Sequence, residues 1–128
     1  MSDKILLVDD EAGLRNVLGL SLEDRGFHVE TASSGHEALE VFSRWRPDIV
    51  LTDIKMPGMD GLDLLQSLKK DDPDVEIIMI TGHGDIDLAI KSLKFDATDF
   101  ITKPIDDMIL DIALKRAKAA LFSSSRRL

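Results

Sequence analysis

The feature of this sequence that most constrains its fold is a short apolar run that recurs five times, each time followed by a segment with helical periodicity. Four of the runs are apolar throughout and end at polar residues, as strands buried on both faces do: residues 5–8, 49–51, 77–80 and 100–101. The remaining run, residues 28–32, alternates apolar and polar side chains, which predicts a strand at the edge of a sheet.

The segments between the runs place apolar residues three and four positions apart, which is the spacing of one face of an α-helix. We predict that these faces pack on the sheet. Their members, helix by helix, are Leu14, Val17, Leu18, Ser21 and Leu22; Ala38, Val41, Phe42 and Trp45; Leu62, Leu65 and Leu68; Ile86, Ala89, Ile90 and Leu93; Ile105, Met108, Ile109 and Ile112.

Strands that alternate with helices form parallel sheets, because each right-handed crossover returns the chain to the same end of the sheet. The sequence therefore predicts an α/β fold with a single doubly wound five-stranded parallel sheet. If its strand order is 2-1-3-4-5, as in flavodoxin-like folds, the first and third strands are neighbours. A chain of 128 residues is long enough for one hydrophobic core and short for two. We expect one domain over residues 3–121, with residues 122–128 as a linker or the end of an expressed fragment.

The charge balance argues against a surface that binds nucleic acids. Acidic residues number 24 against 16 basic ones, a formal net charge of -8, so we expect no direct nucleic-acid binding. The absence of cysteine excludes disulfides and thiolate metal sites. The sequence has neither a signal-peptide core nor an apolar run of membrane length, and we expect a cytoplasmic protein without membrane partners.

Polar residues follow the predicted strands at their carboxyl ends. Asp9 and Asp10 follow the first strand and Asp53 ends the third, while Thr81 ends the fourth and Lys103 follows the fifth. Ligands of open α/β sheets bind at this edge, at the point where the strand order reverses. With strands one and three adjacent, the three carboxylates would meet in one small site.

Three carboxylates at close quarters repel one another unless a cation or a basic group lies beside them. Hard oxygen ligands favour Mg²⁺, which would offset the charge of an incoming phosphoryl group. Lys103 and Thr81 would then hold the remaining phosphoryl oxygens. Taken singly, Asp9, Asp10 or Thr81 is explained as well by a helix cap, and Lys103 by a solvated loop. Their convergence on one edge favours a phosphate site.

Over nearly its whole length the sequence resembles the receiver domains of two-component response regulators. The resemblance rests on four segments with matching order and spacing: residues 5–11 (ILLVDDE), 47–61 (PDIVLTDIKMPGMDG), 80–83 (ITGH) and 99–104 (DFITKP). It implies the flavodoxin-like receiver fold and a phosphorylation-dependent signalling switch. Residues 57–61 and 113–117 are similar to those in receivers of enhancer-binding transcription activators.

The resemblance implies a role for each residue of the site. Asp53 would be the phosphoacceptor, attacking a phosphohistidine on a sensor histidine kinase or phosphotransfer protein, or a small phosphodonor. Asp53 and Asp10 would hold Mg²⁺, or Mn²⁺ in its place, directly. Asp9 would act mainly through water, and the backbone carbonyl of Lys55 would complete the protein ligands. Lys103 would bind the phosphoryl group. Such a domain is a regulator and not an ordinary enzyme, because it catalyses only its own phosphoryl uptake and autodephosphorylation.

The resemblance also implies how the switch moves. In receivers the threonine that corresponds to Thr81 moves toward the phosphate, and the aromatic residue three before the lysine, here Phe100, turns inward with it. The output face would consist of the fourth helix, the fifth strand and the fifth helix. A cis peptide bond between Lys103 and Pro104 would aim the lysine into the site. Phe100 as an ordinary core residue is the alternative that the sequence leaves open.

The sequence departs from the usual receiver pattern in one loop and has charged or titratable side chains at two positions near the acceptor. The loop before the fifth strand has Asp96-Ala97 where receivers usually have Gly-Ala, and Asp tolerates the left-handed conformation expected there. Lys55 and His83 stand two residues after the acceptor and two after the threonine, from where their side chains can reach over the phosphate. We expect these two residues to set the phosphoryl lifetime.

The last helix has more apolar surface than one core-facing stripe requires. We expect its core face to hold Met108, Ile109, Ile112 and Ala113, and a second stripe to face a partner: Leu110, Leu114, Ala117 and Leu121. The partner would be a covalently attached or downstream output domain, or a second copy in a phosphorylation-dependent homodimer across the fourth and fifth helices. A single wide stripe buried within the domain is the alternative.

Three other functions are alternatives. A degenerate receiver would act as a constitutive protein-binding module, although the intact acidic set and Lys103 argue against it. A Mg²⁺-dependent phosphatase of the haloacid dehalogenase type would need an Asp two residues after the nucleophile, where the chain has Lys55. A flavodoxin-type flavin site would need Ser, Thr and Gly donors in the first loop, where residues 9–11 are all acidic and would repel a phosphate.

Overall fold

The computed structural model describes residues 3–123, in which five strands alternate with five α-helices. The strands are β1 Lys4–Val8, β2 His28–Ala32, β3 Ile49–Asp53, β4 Glu76–Thr81 and β5 Asp99–Thr102. The helices are α1 Ala12–Asp24, α2 Gly35–Trp45, α3 Gly61–Asp71, α4 Ile86–Lys94 and α5 Asp107–Ser123, with a short 3-10 turn at His83–Asp85 before α4.

All neighbouring strands pair in parallel, in the order β2-β1-β3-β4-β5. The predicted order is confirmed, with the alternating strand β2 at one edge of the sheet. The register aligns the strand ends, since Val8 pairs with Thr52 and Asp53 with Ile80. The polar residues that end or follow β1, β3, β4 and β5 therefore lie along one edge.

The central strands are buried on both faces, which explains their continuous apolar runs. Alternate side chains point to opposite faces, so Leu6 and Val8 join the core under α2, α3 and α4, whereas Ile5 and Leu7 join the core under α1 and α5. The prediction of a doubly wound sheet is confirmed. The predicted faces of α2 and α3 are also confirmed, with these members buried: Ala38, Val41, Phe42, Leu62, Leu65 and Leu68.

A capping box marks the start of α3, and residues with positive φ follow the ends of α1 and α4. The carboxylate of Asp60 accepts a hydrogen bond from the N–H of Asp63 over 2.9 Å, and the reciprocal bond completes a capping box at the start of α3. Gly26 follows α1 with φ 94°, and Asp96 follows α4 with φ 73°. The left-handed conformation expected at Asp96 is thus confirmed.

The structure reverses the predicted faces of α5 except at Ala113, which is buried as expected. Met108, Ile109 and Ile112 are 71%, 49% and 45% exposed, whereas the stripe expected to face a partner is buried: Leu110, Leu114, Ala117 and Leu121. The helix packs on the sheet through Ala113 and Ala117, because their small side chains allow a close approach. Leu110 and Leu114 fill the space beside these alanines. Two apolar stripes of equal periodicity do not reveal which one docks.

The predicted faces of α4 and α1 are wrong in part. In α4 the small residues Ala89 and Ser92 are buried against the sheet, and the larger members of the predicted stripe are exposed: Ile86, Ile90 and Leu93. This short helix packs mainly on β4, next to the edge strand of the sheet, through these small residues. In α1 Leu18 and Leu22 are buried as predicted, but Val17 is exposed.

The last helix extends through Ser123, so Phe122 and Ser123, the first residues of the expected linker, are helical. The remainder of the expected linker, residues 124–128, lies outside the described residues. Across residues 3–123 we find no helix with the length and apolar content needed to cross a membrane.

Candidate functional site

The acidic residues that follow β1 and end β3 converge at the carboxyl edge of the sheet. Asp9 and Asp53 are buried and Asp10 is exposed. One oxygen from each of these three carboxylates lies within 4.8 Å of the others. The structure therefore brings the three carboxylates together, because adjacent parallel strands deliver their last residues to the same place.

Lys103 supplies the positive charge beside this cluster. Its Nζ donates a hydrogen bond to Oδ2 of Asp53 over 3.1 Å and lies 3.8 Å from Oδ2 of Asp9. The Lys103-Pro104 peptide bond is cis. Burial lowers the pKa of the Lys103 ammonium, but the hydrogen bond to Asp53 and the negative charges of Asp53, Asp9 and Glu11 outweigh it and hold that pKa above its ordinary value. The lysine therefore stays charged.

The carboxylate of Asp9 is fully buried and only half satisfied. Its Oδ1 accepts a hydrogen bond of 2.8 Å from the N–H of Glu11, whereas its Oδ2 accepts none from the residues that the structure describes. Burial raises the pKa of Asp9, and although the Glu11 hydrogen bond and Lys103 oppose the rise, the charges of Asp53 and Asp10 add to it. A buried carboxylate oxygen of this kind is one that a cation can satisfy.

The donor set fits a hard divalent cation. All three side chains offer oxygen atoms, and the buried Oδ2 of Asp9 accepts no hydrogen bond from the residues that the structure describes. Mg²⁺ binds through one or two carboxylates and keeps several waters, which suits a site open at Asp10. The cluster can therefore bind a metal ion, held by Asp9, Asp10 and Asp53.

Asp9→Asn should stabilise the metal-free protein at neutral pH by roughly 1–3 kcal/mol, the usual cost of a buried acceptor left unsatisfied. The new amide can donate to Asp10 or Asp53 and keeps the acceptor for Glu11. Because folding raises the pKa of Asp9, the cost of its charge is absent below the ordinary pKa and grows as pH rises through the folded pKa. The gain should therefore shrink in acid.

Thermal unfolding with EDTA at neutral and acidic pH measures this effect. Glu40→Gln removes the charge of an exposed acid in the middle of α2 and should leave the midpoint unchanged. A lower midpoint for Asp9→Asn than for wild type at neutral pH would contradict the prediction.

Thr81 ends β4, and Phe100 lies in β5, the strand that leads to Lys103. Thr81 is buried, and its Oγ1 donates a hydrogen bond to the carbonyl oxygen of Gly82 over 3.3 Å. Its own carbonyl accepts from the N–H of Lys103 over 2.8 Å, which fastens the end of β5 to β4. Phe100 is half-buried and packs on the core under α2, α3 and α4. Both residues thus lie at or next to the site edge.

The two residues expected to tune the site border it from two loops. The side chain of Lys55 is 67% exposed, and its Nζ lies 3.7 Å from Oδ1 of Asp85. The backbone of His83 begins the 3-10 turn, but its side chain is outside what the structure describes. Asp85 is not among the residues that the sequence singles out, because no motif marks it and only the loop geometry brings it to Lys55.

Gly61 is a second residue that sequence reasoning misses. Its N–H donates to the carbonyl oxygen of Ile54 over 2.8 Å. A Cβ at this position would lie 2.3 Å from the carbonyl oxygen of Asp53 and 2.8 Å from Cα of Ile54. Only glycine therefore lets the first turn of α3 lie against the strand that carries Asp53. The available signal is Asp60-Gly61, a capping residue followed by one without a side chain.

Comparisons with known proteins identify the family of this chain. A family model of the response regulator receiver domain matches residues 5–115. The probable transcriptional regulator ycf27 of Guillardia theta is 42% identical over 95% of this chain and 49% of that protein. The C4-dicarboxylate transport transcriptional regulatory protein DctD of Rhizobium meliloti is 39% identical over 97% of this chain and 27% of that protein. The chain thus spans about half or less of the length of these relatives.

A solved structure of a receiver domain protein has the same fold as this chain. The response regulator receiver domain protein from Clostridium thermocellum superposes with a TM-score of 0.89 at 37% identity, over 98% of this chain and 99% of that one. The family model, the sequence relatives and this structure all cover the acidic cluster and Lys103. The chain belongs to the response regulator receiver domain family.

Proposed function

We propose that this receiver domain is a phosphorylation switch in which Asp53 takes up a phosphoryl group and the face formed by α4, β5 and α5 changes in response. The observation that carries the proposal is the environment of Asp53. Its buried carboxylate lies 3.1 Å from the ammonium of Lys103 and within a cluster of three acids that can bind a cation. Membership of the receiver family supports the same function.

In the proposed step a carboxylate oxygen of Asp53 attacks the phosphorus atom of the donor. An O–P bond forms to give an acyl phosphate, while the P–N bond to the donor histidine breaks and the imidazole nitrogen leaves. With acetyl phosphate as donor, a P–O bond breaks and acetate leaves. Lys103 offsets the charge of the transferred group, and its raised pKa keeps it protonated throughout.

In this proposal Mg²⁺, or Mn²⁺ in its place, is held by the carboxylates of Asp9, Asp10 and Asp53 and by the backbone carbonyl of Lys55. When bound, the cation neutralises part of the charge on the phosphoryl oxygens. Asp9 is prepared for this role by its hydrogen bond to Glu11, which fixes one carboxylate oxygen and leaves the other for the cation.

We propose that the signal leaves the site through Thr81 and Phe100. The hydroxyl of Thr81 donates to Gly82, so a phosphoryl oxygen can replace that carbonyl as its acceptor. This exchange would pull on the turn before α4 and change the space beside Phe100, which packs on the same side of the sheet as α4. The rearrangement would then reach the exposed surface of α4 and β5.

The proposed phosphodonor is a sensor histidine kinase or a phosphotransfer protein, as the family membership suggests. The proposed reader is an output domain, either covalently attached or downstream. In support, the two relatives described above are transcriptional regulators, and the chain spans 49% and 27% of them. Their remaining length leaves room for such a domain.

Incubation with acetyl phosphate and Mg²⁺, followed by intact-mass spectrometry, tests the proposal. We expect one added phosphoryl group per chain, and none when EDTA removes the cation. Absence of the adduct with acetyl phosphate, phosphoramidate and a histidine kinase would overturn the proposal and favour a constitutive protein-binding module.

Lys55→Ala and His83→Ala should each speed the loss of the phosphoryl group by about two- to tenfold, equivalent to about 0.4–1.4 kcal/mol in the barrier. The reason is that both positions follow strands that end at the site, and a shorter side chain there would open a path for the attacking water. Decay of the mass adduct after removal of the donor gives the rate. Lys70→Ala, on the exposed side of α3, is the control. Unchanged rates in both variants would show that these residues do not set the lifetime.

Exposed apolar residues on both sides of β5 predict a phosphorylation-dependent homodimer. They belong to α4 and α5, which lie on opposite faces of the sheet near this edge: Ile86, Ile90, Leu93, Met108, Ile109 and Ile112. Beryllofluoride with Mg²⁺, a phosphoryl mimic, should induce dimers, and Ile109→Glu should prevent them because it buries a charge in the contact. Sedimentation velocity measures the outcome. Val17→Glu, at an exposed position of α1, is the matched control, and a wild type that stays monomeric would contradict the prediction.

A further inference from the structure

An ion pair joins the two loops that border Asp53. Lys55 belongs to the loop after β3, and Asp85 ends the 3-10 turn after β4. The Nζ of Lys55 and Oδ1 of Asp85 are 3.7 Å apart, with the lysine side chain 67% and the aspartate side chain 21% exposed. The pair thus ties the loop that follows the acceptor strand to the turn that follows Thr81.

The carboxylate of Asp85 is held toward this pair by its own turn. Asp85 is the N-cap residue of α4, yet its side chain makes no capping hydrogen bond, in contrast to Ser34 at α2 and Asp60 at α3. Its N–H donates to the carbonyl oxygen of Gly82 over 3.2 Å, and its Oδ2 lies over Gly82, 3.8 Å from where a Cβ would stand. The carboxylate is therefore folded back over the turn and available to Lys55.

We propose that Asp85 is a positioning residue for phosphorylation. It holds the ammonium of Lys55 to the side of the site until Asp53 carries a phosphoryl group, which then binds that ammonium in place of Asp85. The inference rests on the proposed function of Asp53. Before phosphorylation, Lys55 pairs with Asp85 and the turn after Thr81 is tethered to the acceptor loop. After phosphorylation, Lys55 turns to the phosphoryl oxygens, and the freed turn follows Thr81.

The relative strengths of the two interactions favour this exchange. An ion pair with a solvent-exposed lysine is weak, because water screens it and the long side chain loses freedom when it is held. A phosphoryl group carries more charge than one carboxylate and offers three acceptor oxygens, so its hydrogen bonds to an ammonium are stronger. Lys55 lies only two residues from Asp53, so the ammonium can change partners without moving the strand.

A double-mutant cycle tests the inference through the rate of phosphoryl uptake from subsaturating acetyl phosphate with Mg²⁺, followed by intact-mass spectrometry. Asp85→Asn should raise the rate by about two- to fivefold, because it frees Lys55 for the incoming group. In a Lys55→Ala background, Asp85→Asn should change the rate of phosphoryl uptake no more than the removal of a distant charge does. Asp85→Glu, which keeps the carboxylate, should take up the phosphoryl group at the wild-type rate.

Asp87→Asn is the matched control, since it removes an exposed acid from the first turn of the same helix and should leave the rate unchanged. An effect of Asp85→Asn that is equal in both backgrounds, or none in the wild-type background, would overturn the inference while leaving the proposed function intact. A wild-type protein that takes up no phosphoryl group would instead overturn the proposed function, and the inference with it.

Discussion

Phosphoryl incorporation from acetyl phosphate should fall by more than about 10³-fold in Asp53→Asn, the scale of loss seen when a nucleophile is removed from an otherwise intact site. The amide has neither the charge nor the basicity of the carboxylate, and the neighbouring acids are placed differently. Asp9 is buried behind the site with one oxygen tied to Glu11, and Asp10 is exposed to solvent. Asn has the same shape as Asp and keeps an oxygen that can accept from Lys103, so the fold should persist.

Intact-mass spectrometry after incubation with donor and Mg²⁺ measures this loss, and circular dichroism on the same samples checks that the variant is folded. Asp87→Asn is a suitable control, because it changes an exposed acid on α4 outside the cluster. It should take up the phosphoryl group at the wild-type rate. An adduct of wild-type amount in folded Asp53→Asn would identify another acceptor and overturn the assignment.

The strands and the meeting of the three acids could be predicted because they depend on features that are local in sequence. A strand buried on both faces must be apolar at every position, as residues 49–51 and 77–80 are. Parallel pairing then places the residues after each strand at a common edge, so the proximity of Asp9 and Asp53 follows from the strand order. The identity of the acceptor came from the resemblance to receivers.

The docking faces of α4 and α5 could not be predicted from periodicity. In α5 the stripes that contain Ile109 and Leu110 are both apolar and both repeat every three to four residues. The buried stripe is the one with Ala113 and Ala117, because the distance between helix and sheet depends on the smallest side chains. The choice therefore depends on tertiary packing, which hydrophobicity does not encode.

The contacts of single polar atoms could not be predicted from the sequence either. The pair between Lys55 and Asp85 joins residues 30 positions apart in two loops, and its 3.7 Å distance depends on how the turn after Thr81 folds. The unsatisfied Oδ2 of Asp9 follows from which carboxylate oxygen the N–H of Glu11 reaches. Loop geometry at this scale is set by the whole domain and not by nearby residues.

Gly61→Ala should destabilise the domain by about 3 kcal/mol, the upper part of the usual range for an overpacked site. The added Cβ would lie 2.3 Å from the carbonyl oxygen of Asp53 and 2.8 Å from Cα of Ile54, well inside contact distance. Both neighbours are backbone atoms, so no flexible side chain can move aside. Relief requires α3 to withdraw from β3, which would break the 2.8 Å hydrogen bond from Gly61 to Ile54. Urea denaturation measures the free energy of unfolding.

Gly19→Ala is the matched control, because Gly19 is buried within α1 but has no atom within 4 Å of its added Cβ. There the substitution should be neutral or stabilise by up to about 1 kcal/mol, since Ala favours helix over Gly. Equal stabilities for the two variants would contradict the prediction. If Gly61→Ala is destabilised as expected but remains folded, its phosphoryl uptake should also fall, because the clash displaces the carbonyl of Asp53 and with it the carboxylate that faces Lys103. Gly61 would then link the packing of α3 to the chemistry of the acceptor.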